Sequence, residues 1–223
     1  PIAILLAVLA GGLCGLFSGL LTTLLRLPSF LVTLGMLEAA RGATLLLTES
    51  RTQYLGKAVE PLSVGGAAWL SLPTVLALVV MALGQVWLSR TSMGRNLFAT
   101  GGSERTAWLA GVPTSLIRTS AFVICGALAG LAGIINTGRL SSADPNAGFG
   151  AELTAIAAVV IGGTRLTGGR GSLLGTLLGV ILLAVVGNGL TQAGAQEPIK
   201  RLLTGGIIVA AVLLDRLRGK NSE

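Results

Sequence analysis

Residues 2–25 read IAILLAVLAGGLCGLFSGLLTTLL and carry no charged side chain. A helix needs about 20 consecutive apolar residues to cross the hydrocarbon core of a bilayer, and this run has that length. Its glycines add a second signal. Gly11, Gly15 and Gly19 fall four apart, which on a helix places them on one face, where another backbone can approach closely. The stretch predicts a spanning helix packed against a neighbouring helix.

Working outward, further runs of the same kind appear at 68–89, 119–138, 172–192 and 199–215, each bounded by charged or turn residues. Two segments are less regular. Residues 29–48 are long enough to span but contain Glu38 and Arg41, and 152–163 are too short to cross alone except as a half-helix or a tilted entry. The glycine spacing recurs at Gly126 and Gly130, and at Gly171, Gly175 and Gly179. The predicted fold is all-α, a polytopic transmembrane helical bundle forming a single domain over 1–223.

Composition agrees. Of the 223 residues, 52% are apolar and only 11% charged, and the mean hydropathy is +0.82, whereas soluble domains carry about 25% charge. The formal charge of +7 comes from basic residues in the gaps between apolar runs. They form no stripe interleaved with aromatics, which total 4%, so nucleic acid is excluded as a partner and membrane lipid is the expected surrounding. If alternate loops share a side, Arg26, Arg90, Arg95, Arg105, Arg118, Arg165, Arg170, Arg216, Arg218 and Lys220 fall on one face of the membrane. Arg51, Lys57, Arg139, Lys200 and Arg201 fall on the other. The richer side is the cytoplasmic one.

Several chemistries drop out. With no histidine, Ser-His and Cys-His nucleophiles and His-bearing metal motifs are absent, so no catalytic residue and no metal ligand is assigned. Cys14 and Cys125 lie inside apolar runs and read as small buried hydrophobes. The glycine turn 164–171, TRLTGGRG, is not a phosphate-binding loop, because it lacks the Gly-Lys-Ser/Thr ending. It follows Gly162-Gly163 and an incomplete span, the pattern of a helix broken within protein, and so a candidate border of the pathway. The chain starts at Pro1 and enters an apolar run at once, without the charged n-region and cleavage site of a signal peptide. Further chain is therefore expected before Pro1.

The connection 90–118, RTSMGRNLFATGGSERTAWLAGVPTSLIR, is more structured than a linker. Ser103 is placed to cap a short amphipathic helix with Glu104 in its first turn, Trp108 and Leu109 midway, and Gly111 then Pro113 closing it. Such a helix at the cytoplasmic face is a docking surface; the plainer alternative is a solvated charged loop.

Gly94-Arg95-Asn96-Leu97-Phe98-Ala99-Thr100-Gly101-Gly102, followed by Ala107 and Ala110-Gly111-Val112, resembles the cytoplasmic coupling loop of ABC permeases of the ribose/xylose/galactose importer family. Three other stretches are similar to the same family: 27–36 (LPSFLVTLGM) with Arg41-Gly42; 152–164 (ELTAIAAVVIGGT) with Gly168-Gly169-Arg170-Gly171; and Asn188-Gly189-Leu190. The likeness covers nearly the whole chain. It departs from the family pattern at Glu38, where a small or apolar residue is commoner, and at Arg105-Thr106, which replace a small pair.

The resemblance implies a non-catalytic, multi-pass permease of the bacterial inner membrane that binds no cofactor itself. Its short cytoplasmic helix would sit in a cleft of a separate ABC ATPase subunit, which uses ATP and Mg. A periplasmic sugar-binding protein would deliver a monosaccharide on the other face, and a second permease copy, the same or different, would complete the path. Gly94, Arg95, Gly101, Gly102, Glu104, Arg105, Ala107 and Gly111 are the implied coupling residues. In such a family the chain continues N-terminally, so these residues would represent roughly the C-terminal two thirds.

For a neutral sugar, spanning segments offer Thr33, Thr44, Thr154, Asn188 and Thr191 as hydrogen-bonding groups and Phe30 as a stacking surface. A Thr hydroxyl bonded to its own helix backbone is the plainer reading at each. Glu38 and Arg41, three apart, share a helix face and can pair; the pair is either structural or part of a gate. Three alternatives stand beside the sugar permease. The first is a branched-chain amino-acid ABC permease, whose glycine turn usually reads differently. The second is an ion-coupled secondary transporter, which would carry intramembrane acids in related halves. The third is an intramembrane enzyme.

Overall fold

The computed structural model describes residues 2–55, 71–196, 198–200, 202–207 and 209. Among the described residues, contiguous apolar sequence becomes helix. In order these are α1 (Ile2–Leu24), α2 (Ser29–Leu47), α3 (Leu72–Arg90), α4 (Ser92–Gly102), α5 (Glu104–Leu109), α6 (Thr114–Leu140), α7 (Ala151–Ile161) and α8 (Leu173–Gln192). Among the described residues, α1, α2, α3, α6 and α8 are long and apolar enough to cross a membrane. The 23 residues of α1 rise about 34 Å at 1.5 Å each, enough for the hydrocarbon core. Of the expected span 199–215, residues 199–200, 202–207 and 209 are helical, and the others lie outside the described residues.

The predicted bounds differ from the observed ones at informative places. The span read as 119–138 is the 27-residue helix α6. Its extra N-terminal turn is polar and so invisible to an apolar count, yet it is started by Pro113, whose φ of −75° suits a helix entry. The gap 90–118 holds two helices, not one. Thr91 caps the first, its hydroxyl accepting from the Gly94 N–H at 3.1 Å, and Ser103 ends it, its N–H donating to the Ala99 carbonyl at 3.1 Å. Gly171 is not part of a helix face: it precedes α8 and lies against Thr164.

The chain forms two compact units. One comprises 1–83 and 105–147, the other 84–104 and 148–223. In the first, α1 and α6 run antiparallel, with Ala7 opposite Gly130, Gly11 opposite Gly126 and Gly15 opposite Phe122, all at backbone-to-backbone range. Their polar groups are satisfied locally. The buried Ser18 and Thr22 hydroxyls donate to carbonyls four residues back at 2.9 and 2.8 Å, and Thr23 meets Thr119 across the pair at 3.1 Å. The antiparallel arrangement puts Arg26 and Arg118 at one end. At the other, a two-residue antiparallel ladder pairs β1 (Gln53–Tyr54) with β2 (Ser142–Ala143), so the segment that follows Arg51 joins the one that follows Arg139. Both groupings agree with the alternate-side reading of the loops.

The expectation that Cys14 and Cys125 are buried does not hold. Both are free and exposed on the outer faces of α1 and α6, because the glycines, not the cysteines, take the contact face. Nor does α2 bury any residue within the chain.

In the second unit, α7 and α8 also pack antiparallel and backbone on backbone, Gly162 against Gly175 and Ala158 against Gly179. The 11 residues of α7 rise only about 16 Å, half of a bilayer core, as expected of an incomplete span.

Candidate functional site

Two regions of the second unit bring together residues the sequence singled out. The first is the start of the 90–118 connection. Gly94 is buried against the backbone of Leu88, so α4 folds back sharply on the end of α3. The other end of α4 meets the glycine turn. A methyl added at Gly101 would stand 2.8 Å from the Gly169 nitrogen, and one at Gly169 would stand 2.8 Å from the Gly102 Cα. Gly168 and Gly169 have φ of +90° and +79°, a region that only glycine enters cheaply. The turn closes on itself, the Arg165 N–H donating to the Arg170 carbonyl at 3.1 Å and the Gly168 N–H to the Arg165 carbonyl at 3.0 Å. The Thr100 hydroxyl, at the same end of α4, is buried without a hydrogen-bond partner.

The remainder of the connection, from Arg105 on, belongs to the first unit. Helix α5 turns Ala107 inward, at 4% exposure, while Trp108 and Leu109 stand out at 66% and 70%. Glu104 and Arg105 are exposed beside them. The helix ends as its sequence predicts: the Gly111 N–H donates to the Trp108 carbonyl at 2.9 Å, and Gly111 adopts φ +81°. Of the eight residues marked for coupling, Gly94 and Ala107 face inward and support the loop. Arg95, Gly101, Gly102, Glu104, Arg105 and Gly111 are exposed. Sequence reasoning placed Trp108 and Leu109 on this short docking helix but did not mark them among the coupling residues, although their place beside exposed charges on a six-residue helix was the available signal.

The second region is a cavity of about 790 Å³ within the same unit as the glycine turn, inside the range of about 300–1,000 Å³ typical of ligand clefts. It opens at the N-terminal end of α7, lined by Phe149, Leu153, Thr154, Leu183, Lys200 and Thr204 among others. Thr154, marked from sequence, is on this wall. Its hydroxyl donates to the Gly150 carbonyl at 3.2 Å, which leaves its lone pairs free to accept from a guest. Phe149 was not anticipated; it lies in a Gly/Ala stretch with no periodic signal.

The other marked pathway residues are not among those lining that cavity. Phe30 is 70% exposed on α2. The Thr33 hydroxyl donates to the Ser29 and Phe30 carbonyls at 3.0 Å each, and those of Thr44 and Thr191 bond carbonyls four residues back, so the plainer reading holds for their donors. Asn188 is exposed on α8. Glu38 and Arg41 pair at 3.4 Å in the middle of α2. Among the described residues no cluster of His, Cys, Asp and Glu is suited to a metal ion.

A family described as branched-chain amino acid transport system / permease component matches residues 1–212. The chain belongs to this permease family. Among individual relatives it is similar to the D-allose transport system permease protein of Escherichia coli K12, 34% identical over 96% of this chain and 66% of that protein. It is also similar to the ribose import permease proteins of Bacillus subtilis (38%, over 89% of this chain and 63% of that protein) and Escherichia coli K12 (36%, over 96% and 68%). The permease thus spans about two thirds of the length of these curated relatives. No solved structure matches it. Family membership and five apolar helices of spanning length make it a multi-pass membrane protein of the bacterial inner-membrane type.

Proposed function

We propose that this permease is the membrane-spanning subunit of an ATP-driven importer, carrying a monosaccharide delivered by a periplasmic binding protein. The observation that carries the reading is its similarity along nearly its whole length to ribose and allose permeases, matched by a short helix exposing Trp108 and Leu109 on the side rich in Lys and Arg. In this reading 1–223 is one permease domain and 90–118 its coupling loop. A separate ABC ATPase, using ATP and Mg, receives Trp108 and Leu109 in an apolar cleft, while Arg95, Glu104 and Arg105 meet charges at its rim. Large apolar side chains standing free in water are what a protein partner would cover.

A second permease copy fits the exposed face of α2. Glu38, 74% exposed midway along a span, is costly against hydrocarbon, and ionisable residues at membrane depth almost always face protein or a water-filled path. A facing permease supplies that surface.

The test is uptake of labelled D-ribose and D-allose by the permease reconstituted with its ATPase and binding protein. ATP-dependent accumulation of either sugar supports the reading. Accumulation of leucine in place of sugar would favour the branched-chain amino-acid alternative, which the family description keeps in view. Uptake driven by an ion gradient without ATP would overturn both.

A further inference from the structure

Helix α4 and the turn of the α7–α8 hairpin approach backbone to backbone at glycines. Gly101 and Gly102 on one side meet Gly168 and Gly169 on the other, and a methyl at Gly168 would stand 2.5 Å from the Gly101 carbonyl oxygen. We propose that this contact is a rigid joint, with Gly168 and Gly169 as positioning residues that pass movement of α4 along the hairpin to the cavity wall at Thr154. The proposal rests on the importer reading above.

Three features of the second unit support it. First, at these four glycines backbone meets backbone directly. Side chains absorb small displacements by changing rotamer, whereas backbone in van der Waals contact with backbone moves as one piece. Second, the turn that carries Gly168 and Gly169 is braced by its own hydrogen bonds, Arg165 to Arg170 and Gly168 to Arg165. A push on it is therefore not lost in bending the loop. Third, the hairpin behind the turn is locked in the same manner, with Gly162 on Gly175 and Ala158 on Gly179. The joint sits at the C-terminal end of α7 and the cavity at its N-terminal end, with Phe149, Leu153 and Thr154 on the wall. A tilt of the hairpin at one end must then displace the wall at the other. On the far side of the joint, Gly102 is followed by Ser103 and the first residue of α5, the helix read as engaging the ATPase.

The experiment is Gly101→Ala in the reconstituted complex, read as labelled D-ribose and D-allose moved per ATP hydrolysed. Gly101 has ordinary helical φ, and alanine is the better helix former, so α4 itself is not weakened; only the approach to Gly169 is obstructed. The expected result is a fall of about fivefold or more, the low end of what coupling between sites is worth. Gly187→Ala, a helical glycine of α8 with open space around it, is expected to match wild type. Should Gly101→Ala fail to assemble, Gly169→Ala obstructs the same contact from the other side, with Gly163→Ala as the control for strain, since Gly163 has φ +85° but no neighbour within 4 Å. Sugar moved per ATP at the wild-type ratio in the obstructed variant, or an equal loss in its control, overturns the joint and leaves the importer reading intact. A wild-type complex that moves neither sugar overturns the importer reading itself.

Discussion

Gly11 on α1 and Gly126 on α6 lie backbone to backbone, and a methyl on either would run into the carbonyl oxygen of the other. The contact is reciprocal, so neither helix can relieve it by moving a side chain. Gly126→Ala is expected to lower the thermal unfolding temperature of the detergent-solubilised permease, with a cost of about 1–3 kcal/mol, as for other overpacked interiors. Gly133→Ala on the same helix, with nothing within 4 Å, is the comparison. Equal unfolding temperatures for the two would show that close approach of α1 and α6 is not what holds the first unit.

Gly111 ends α5 with φ +81° and open space around it. Any larger residue there is strained by its backbone, not by a clash. Gly111→Val is expected to misdirect the chain between α5 and α6 and to reduce sugar moved per ATP, while Gly111→Asn, which tolerates the left-handed region, retains most of it. Normal uptake in the valine variant would remove Gly111 from any coupling role.

Thr100 buries its hydroxyl oxygen without a hydrogen-bond partner. Valine has the same shape and no such group to desolvate. Thr100→Val is expected to leave unfolding unchanged or raise its midpoint, by up to about 1 kcal/mol in stability. A clear loss of stability would mean that the hydroxyl is bonded.

Glu38 and Arg41 pair at 3.4 Å on the exposed face of α2. If the pair is structural, Glu38→Gln leaves uptake per permease within about twofold of wild type, since the amide can still accept from Arg41 and no uptake step needs the charge. A larger loss of uptake at normal expression would assign the pair to a gate. Measuring labelled D-ribose uptake beside the amount of permease in the membrane separates the two.

Much of the architecture was legible because lipid imposes a length. Runs of about 20 apolar residues mark spanning helices whatever they pack against, and 2–25, 29–48 and 172–192 became helices within a residue or so of those limits. The short helix around Trp108 was equally legible from Ser103, Glu104, Gly111 and Pro113. Helix α4 was missed, since its glycines and polar residues dilute the apolar signal, although Thr91 three residues before Gly94 was a usable cap. The β1–β2 ladder had no signal at all, being two residues on each side and held by the antiparallel course of distant helices.

The sequence by itself determined that this chain spans a membrane as helices and that the glycines spaced four apart at Gly11, Gly15 and Gly19, at Gly126 and Gly130, and at Gly175 and Gly179 lie on contact faces. Only the tertiary structure decided which face meets which. A glycine every fourth residue announces that some backbone comes close, but a local period carries no information about a partner a hundred residues away. That pairing is set by the shape of both surfaces at once. Gly11 meets Gly126, Gly175 meets Gly162, and Gly101 meets Gly169 across segments that no local pattern connects. For the same reason Thr154 came to line this cavity, because the wall opposite it is built by Leu183, Lys200 and Thr204 from elsewhere in the chain.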